Sequence, residues 1–143
     1  MGRELRRVPP HWEHPKDSQG QFIPLFDATY ETAVEEYAIA PVGLPPNPAR
    51  YRAPFGEPPT WFQAYENITE GTPVTPPFAT AEELIAYLVE FGDRWTQEEA
   101  QPGWMEDAAR HFVLESGYCC TMVCTPEGIT PGFGGYTKHK EAA

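Results

Sequence analysis

The side chains best suited to chemistry stand in two short stretches. His11-Trp12-Glu13-His14 lies near the start, and Cys119, Cys120 and Cys124 lie near the end. Together they supply imidazoles and thiols, the ligands zinc prefers, commonly as C-x2–4-C with H-x3–5-H. The spacing here is wrong. Only two residues separate the histidines, and Pro10 and Pro15 flank them. Cys120 and Cys124 fall on a predicted strand, where same-face neighbours are spread apart. The residues therefore predict neither metal nor cofactor, only core cysteines and packed histidines. A cysteine nucleophile paired with His14 or His111 lacks any local signature, and a strand cysteine among apolar neighbours is usually inert. The acidic pairs Glu35–Glu36, Glu82–Glu83, Glu98–Glu99 and Glu106–Asp107 sit on predicted helices or first turns. Adjacent helical residues point about 100° apart, so these are not acid–base dyads. "TPGFGGYTK" (130–138) lacks the phosphate-loop spacing, and no helix follows it. No catalytic group is predicted, and the expectation is a protein that is not an enzyme.

One further stretch poses a question. "YENITEGTPVTPPFATAEELIAYLVEFG" (65–92) runs from a predicted strand through a proline-studded loop into a helix. Prolines rigidify such a join by restricting the unfolded chain. For the 69–78 loop to be a site as well, polar groups must converge on it. Thr69, Glu70, Thr72, Thr75 and the helix dipole behind Thr80 are the candidates.

The elements that must position these groups follow from periodicity. Residues 1–26 carry Pro9, Pro10, Pro15 and Pro24, which exclude a helix and predict an extended arm packed on the domain, with a turn at "KDSQGQ". Tyr30, Ala33, Val34 and Tyr37 make one stripe of a helix over 28–39, stopped by Pro41. Residues 41–60 hold seven prolines and read as a long connection, mobile or wrapped over the surface by Tyr51 and Phe55. "TWFQAYENI" (60–68) alternates as a strand. Thr80 and Glu83 form a capping box, Leu84, Tyr87, Leu88 and Phe91 a buried stripe, and Gly92 a terminator. Thr96 and Glu99 repeat the capping pattern weakly before Pro102. A third helix spans 103–117, with Trp104, Met105, Ala108, Ala109 and Phe112 inside. A strand (118–124), a Pro126-Glu127-Gly128 turn and a short returning strand close the chain, leaving a tail (132–143) expected to fray. The predicted architecture is a single α+β domain: a small antiparallel sheet with about three packed helices and an extended N-terminal arm.

Composition bounds the function. The 143 residues suit one domain, and 41% hydrophobic content supplies a core. Seventeen prolines are more than twice the usual share of about 5%. No apolar run approaches the ~18 residues of a membrane span, and no apolar stretch follows the early arginines as in a secretory signal. Three clustered cysteines make a poor disulfide framework, which predicts a reducing cytoplasm. Net charge is −11 and uneven. Residues 25–117 hold four Arg against sixteen Asp and Glu, net −12. Such a region repels nucleic acid and anionic membranes but attracts a basic protein surface.

"RRVPPHWEHP", "FIPLFD" and "TEGTPVTPPFATAEEL" resemble a family of small phage and prophage proteins. That family shares R-R-V-P-x-x-W-x-H-P near the start and S-E-G-T-P-x-S-P-x-F-x-T-x-E-E-L in the second half. Thr69 and Thr75 replace its usual serines, and Pro77 stands where valine is common. The resemblance brings no activity and no catalytic residues. It implies a phage-encoded protein made in the host bacterial cytoplasm. Joined to the acidic composition, it leads us to expect a non-enzymatic inhibitor or decoy. Such a protein would bind the basic surface of a host protein or nucleoprotein complex, such as a CRISPR effector. Glu31, Glu35 and Glu36 on the first helix, and Glu82, Glu90 and Asp93 around the second, are the expected contacts. A metal-binding protein or enzyme built on the cysteine strand and the His-rich arm, and a virion or assembly component, are the alternatives.

Overall fold

A computed structural model describes residues 2–67, 71–94 and 103–119, and the backbone alone of 122–125 and 128–131. The expectations for Thr69, Glu70, Cys120, the Thr96–Glu99 segment, the Pro126-Glu127 turn and the tail lie outside the described residues.

The fold is α+β. Its centre is a three-stranded antiparallel sheet of β1 (Arg3–Val8), β4 (Trp61–Glu66) and β5 (Tyr118–Cys119), in the order β4-β1-β5. The register pairs Arg3 with Glu66 through to Val8 with Trp61, and Arg3 with Cys119 on the other side. The extended arm thus needs correcting: its first residues are the middle strand, not a strap laid over the domain. "RELRRV" hides this role because its arginines break the hydrophobic alternation. Arg3 and Arg6 are nonetheless buried. Arg3 Nε donates to Asp93 Oδ2 at 2.6 Å. Arg6 lies over the Tyr65 ring, 4.2 Å from its centroid.

The 71–78 segment answers half of the question posed by its prolines. It runs antiparallel along the outer edge of β4. Phe62 and Phe78 exchange backbone hydrogen bonds at 2.8 Å, Val74 N–H donates to Ala64 O at 2.9 Å, and Glu66 N–H donates to Thr72 O at 3.0 Å. Pro73, Pro76 and Pro77 lack donors, so this makeshift strand closes the edge and offers little for further pairing. Gly71 begins it at φ +114°, where a Cβ would collide with the Arg6 guanidinium and the Leu25 carbonyl.

The segment leads into α2 (Ala81–Phe91), whose Thr80 cap accepts from Glu83 N–H and whose Gly92 terminator takes φ 74°. Leu84, Ile85 and Leu88 of α2 are buried with Ala64, Val74, Trp104, Ala109, Phe112 and Val113. Here the predicted stripe holds for Leu84 and Leu88, while Phe91 at its end is half exposed. The third helix is shorter than 103–117. It runs as α3 (Glu106–Arg110) and continues as one π-helical stretch, His111–Ser116, ended by Gly117 in the left-handed region. The wider turn places both Phe112 and Val113 in the core. α2 and α3 together cover the Leu5–Ala64 face of the sheet.

The first helix, α1 (Tyr30–Ile39), behaves differently. Thr29 caps it, yet only Ala33 of the predicted stripe is buried. Tyr30 and Val34 are 39% and 40% exposed. α1 adjoins β2 (Phe26–Thr29), which pairs in parallel with β3 (Tyr51–Arg52), rather than packing on the main sheet. The 41–60 connection wraps the surface in its second half. Asn47 caps a 3-10 turn, Tyr51–Arg52 pair with β2, and Phe55 meets Trp12 edge-on at 5.0 Å. The closing hairpin is β6 (Met122–Thr125) with β7 (Gly128–Pro131), a sheet separate from β5. The single 118–124 strand is therefore divided, and Cys119 and Cys124 belong to different sheets.

Among the described residues, no helix is long and apolar enough to cross a membrane.

Candidate functional site

The two faces of the central sheet carry different chemistry because of the two-residue period of β4. Phe62 and Ala64 point to the helices. Gln63 and Tyr65 point the other way, toward the N-terminal segment 9–25. That segment leaves β1 through a turn closed by Trp12 N–H donating to Pro9 O, with His11 at φ 57°. Pro10 presets the turn, and the positive φ at His11 is what a type II geometry needs. His11 stacks on Trp61 at 4.6 Å, and Trp12 and His14 come down onto Tyr65.

A buried relay results. Trp12 Nε1–H donates to the Tyr65 hydroxyl at 3.2 Å. Tyr65 O–H faces His14 Nδ1 at 3.0 Å, and His14 Nε2 meets the Ile23 carbonyl at 2.6 Å. A carbonyl can only accept, so Nε2 carries the proton and Nδ1 accepts from Tyr65. Burial pushes the Tyr65 phenol up to about 12, which keeps its proton in place. Burial also lowers His14 from its usual 6.5, against the opposing pull of the Ile23 carbonyl, so the neutral ring is favoured. Both nitrogens of His14 are spent inside the protein. The ring cannot then offer a lone pair to a metal without breaking this chain.

Beside the relay lies a cavity of about 670 Å³. The N-terminal segment contributes Trp12, Pro15 and Phe22; the proline strand contributes Pro73 to Pro77; Tyr87 closes the α2 side. Gln63 lines it and is 3% exposed. Its Nε2 donates to Thr75 O at 2.8 Å, which fixes the amide's orientation and leaves Oε1 without a partner. Glu13, Lys16 and Arg94 also line the cavity and are exposed. Arg94 is set there by its N–H bond to Val74 O, 2.8 Å. Lys16 and Arg94 approach the same Phe22 ring, at 5.1 and 5.6 Å from its centroid.

The polar groups that the sequence named for this loop are used elsewhere. Thr72 N–H and Oγ1 both donate to the buried Glu66 carboxylate, at 2.8 and 3.0 Å. Thr75 Oγ1 accepts from Ala64 N–H at 3.1 Å. These bonds hold the edge together. Gln63, Lys16 and Arg94, which do face the cavity, carried no motif. Only the alternation of "TWFQAYENI", with Gln63 and Tyr65 on one face, pointed to any of them.

The predicted docking carboxylates divide. Glu31, Glu35 and Glu36 are exposed on α1 and make no ion pair among the described residues. Ile39, Val42 and Leu44 beside them are 85%, 83% and 91% exposed. A shallow groove there is lined by Ala33, Glu36, Tyr37, Val42, Leu44 and Tyr51, among others. Glu90 is exposed on α2. Glu82 is exposed but held by Arg110, with both oxygens bonded at 3.0 and 3.1 Å. Asp93 is not a surface group: it is wholly buried against Arg3. It left the helix end inward because the arginine of β1 waits there, ninety residues away in sequence.

Among the described residues, no group of three His, Cys, Asp or Glu side chains stands ready for a metal. Cys119 is buried on β5. His111 Nδ1 sits 2.7 Å from Glu115 on the exposed side of the π turn. No family model, no curated protein and no solved structure matches the chain.

Proposed function

We propose that this chain is a phage-encoded, non-enzymatic docking protein. It binds the basic surface of a host protein or nucleoprotein complex through the outer face of α1, and so inhibits it. One observation carries the reading: α1 exposes its apolar stripe and its carboxylates together. Tyr30 and Val34 are about 40% exposed, and Glu31, Glu35 and Glu36 stand among them with no ion pair among the described residues. An apolar patch rimmed by charge of one sign suits a partner of opposite charge. The contact set is narrower than the sequence suggested. Asp93 is excluded by burial, Glu82 is engaged by Arg110, and Glu90 lies on another helix.

The test reverses charge on the rim. Glu35→Lys with Glu36→Lys should leave the unfolding transition in place and slow association about tenfold at low salt. Wild type should weaken as salt rises past about 0.1 M, where the Debye length is about 10 Å. The measurement is capture from bacterial host lysate, followed by surface plasmon resonance with the purified partner. Binding that ignores both salt and the reversals would overturn the reading. Recovery of virion proteins in place of a basic host factor would move the function to assembly.

A further inference from the structure

We propose that the cavity between the N-terminal segment and the proline strand is a binding site for a small planar anion. Its ligand is an aromatic ring bearing a carboxylate or phosphate. Two independent features converge on this chemistry.

The first is size and lining. A cavity of about 670 Å³ falls within the few hundred to one thousand Å³ typical of small-ligand sites. Trp12, Phe22 and Tyr87 give aromatic surface on several sides, and the prolines add stiff apolar walls. A planar ring gains from such surfaces by stacking and edge contacts.

The second is local charge. The whole chain is at −11, yet the cavity is lined by Lys16 and Arg94 against Glu13 alone. Neither cation has a carboxylate partner among the described residues, although acidic groups outnumber basic ones two to one. Both converge on Phe22, so an anion held by them sits at the edge of an aromatic wall. No bond need form or break. The relay of Trp12, Tyr65 and His14 shapes the wall without contributing a reactive group.

Two sources share this chemistry: an aryl carboxylate and a nucleoside monophosphate. Titration calorimetry of the full chain with indole-3-acetate and with adenosine monophosphate separates them. Binding of the first alone assigns the anion to carboxylate, and binding of the second alone assigns it to phosphate; either supports the site. The Trp12 indole N–H resonance should move on binding. Lys16→Ala with Arg94→Ala, both exposed and outside the core, should weaken binding about tenfold or more. Charge reversal at Glu35 and Glu36 should change nothing here, so this site and the α1 face fail separately. The proposal is overturned if neither compound binds at millimolar concentration. It is equally overturned if neutral indole binds as well as the acid, or if the double variant binds undiminished.

Discussion

The two faces of the three-stranded sheet are held by different forces. On one, Leu5, Phe62 and Ala64 pack against α2 and α3 in a dry cluster around Leu84, Leu88 and Phe112. On the other, Tyr65 meets Trp12 and His14 through directed hydrogen bonds and ring contacts, Arg6 lies over its ring, and Gln63 bonds to Thr75. Apolar packing is non-directional and fills space, so the helical face closes into a dense core. Hydrogen bonds fix distances without filling volume, so the other face keeps a cavity beside its network. The contrast teaches where each kind of perturbation should act.

The largest effect belongs to the helical face. Leu88→Ala removes a fully buried side chain and should cost about 2–5 kcal/mol by urea unfolding. A cost near zero would mean that α2 does not seal the core, and the contrast would collapse. Acid should separate the faces next. His14 is depressed below 6.5 by burial, so the network's contribution is complete above pH 6.5 and is lost as pH falls through the lower folded value. His14→Gln removes that dependence. The gap in unfolding midpoint between wild type and this variant should therefore narrow from pH 7.5 to pH 5. A gap that stays constant would mean that the ring does not titrate against folding. The smallest effect belongs to neither face. Val34→Ala on α1 should shift stability by no more than about 0.5 kcal/mol, since the residue is 40% exposed. A larger loss would place α1 in the core and remove the docking surface.

Local chemistry made the bounds of α2 readable, and its stripe in part: Leu84 and Leu88 are buried, Phe91 is half exposed, and Ile85 is buried outside the stripe. Its cap, its stripe and Gly92 all act within a few residues, and the helix spans Ala81–Phe91 between them. The strand character of "WFQAYE" and the turn at Asp17 are legible for the same reason. Alternation and turn propensity are carried by neighbours in the chain. Both faces of β4 were legible, but not which face would be dry. That depended on which segments came to cover it.

What the chain decided alone was α2, the strand at 61–66, the place of α1 and the α+β class, because caps, prolines and periodicity work at short range. Tertiary structure decided their use. It made "RELRRV" the central strand, since Asp93 and the Tyr65 ring allow its arginines to be buried. It left the α1 stripe exposed, although its spacing matched that of a buried helix, because β2 and the wrapped connection cover only Ala33 and little more. It turned Asp93 inward, and it spent Thr72 and Thr75 on the sheet edge. It also gathered Lys16 and Arg94 around a cavity beside Gln63. Each outcome depends on contacts between residues dozens of positions apart. A residue's type and its neighbours in sequence carry no record of which distant surface will meet it, so burial, pairing and cavity appear only when the chain has closed on itself.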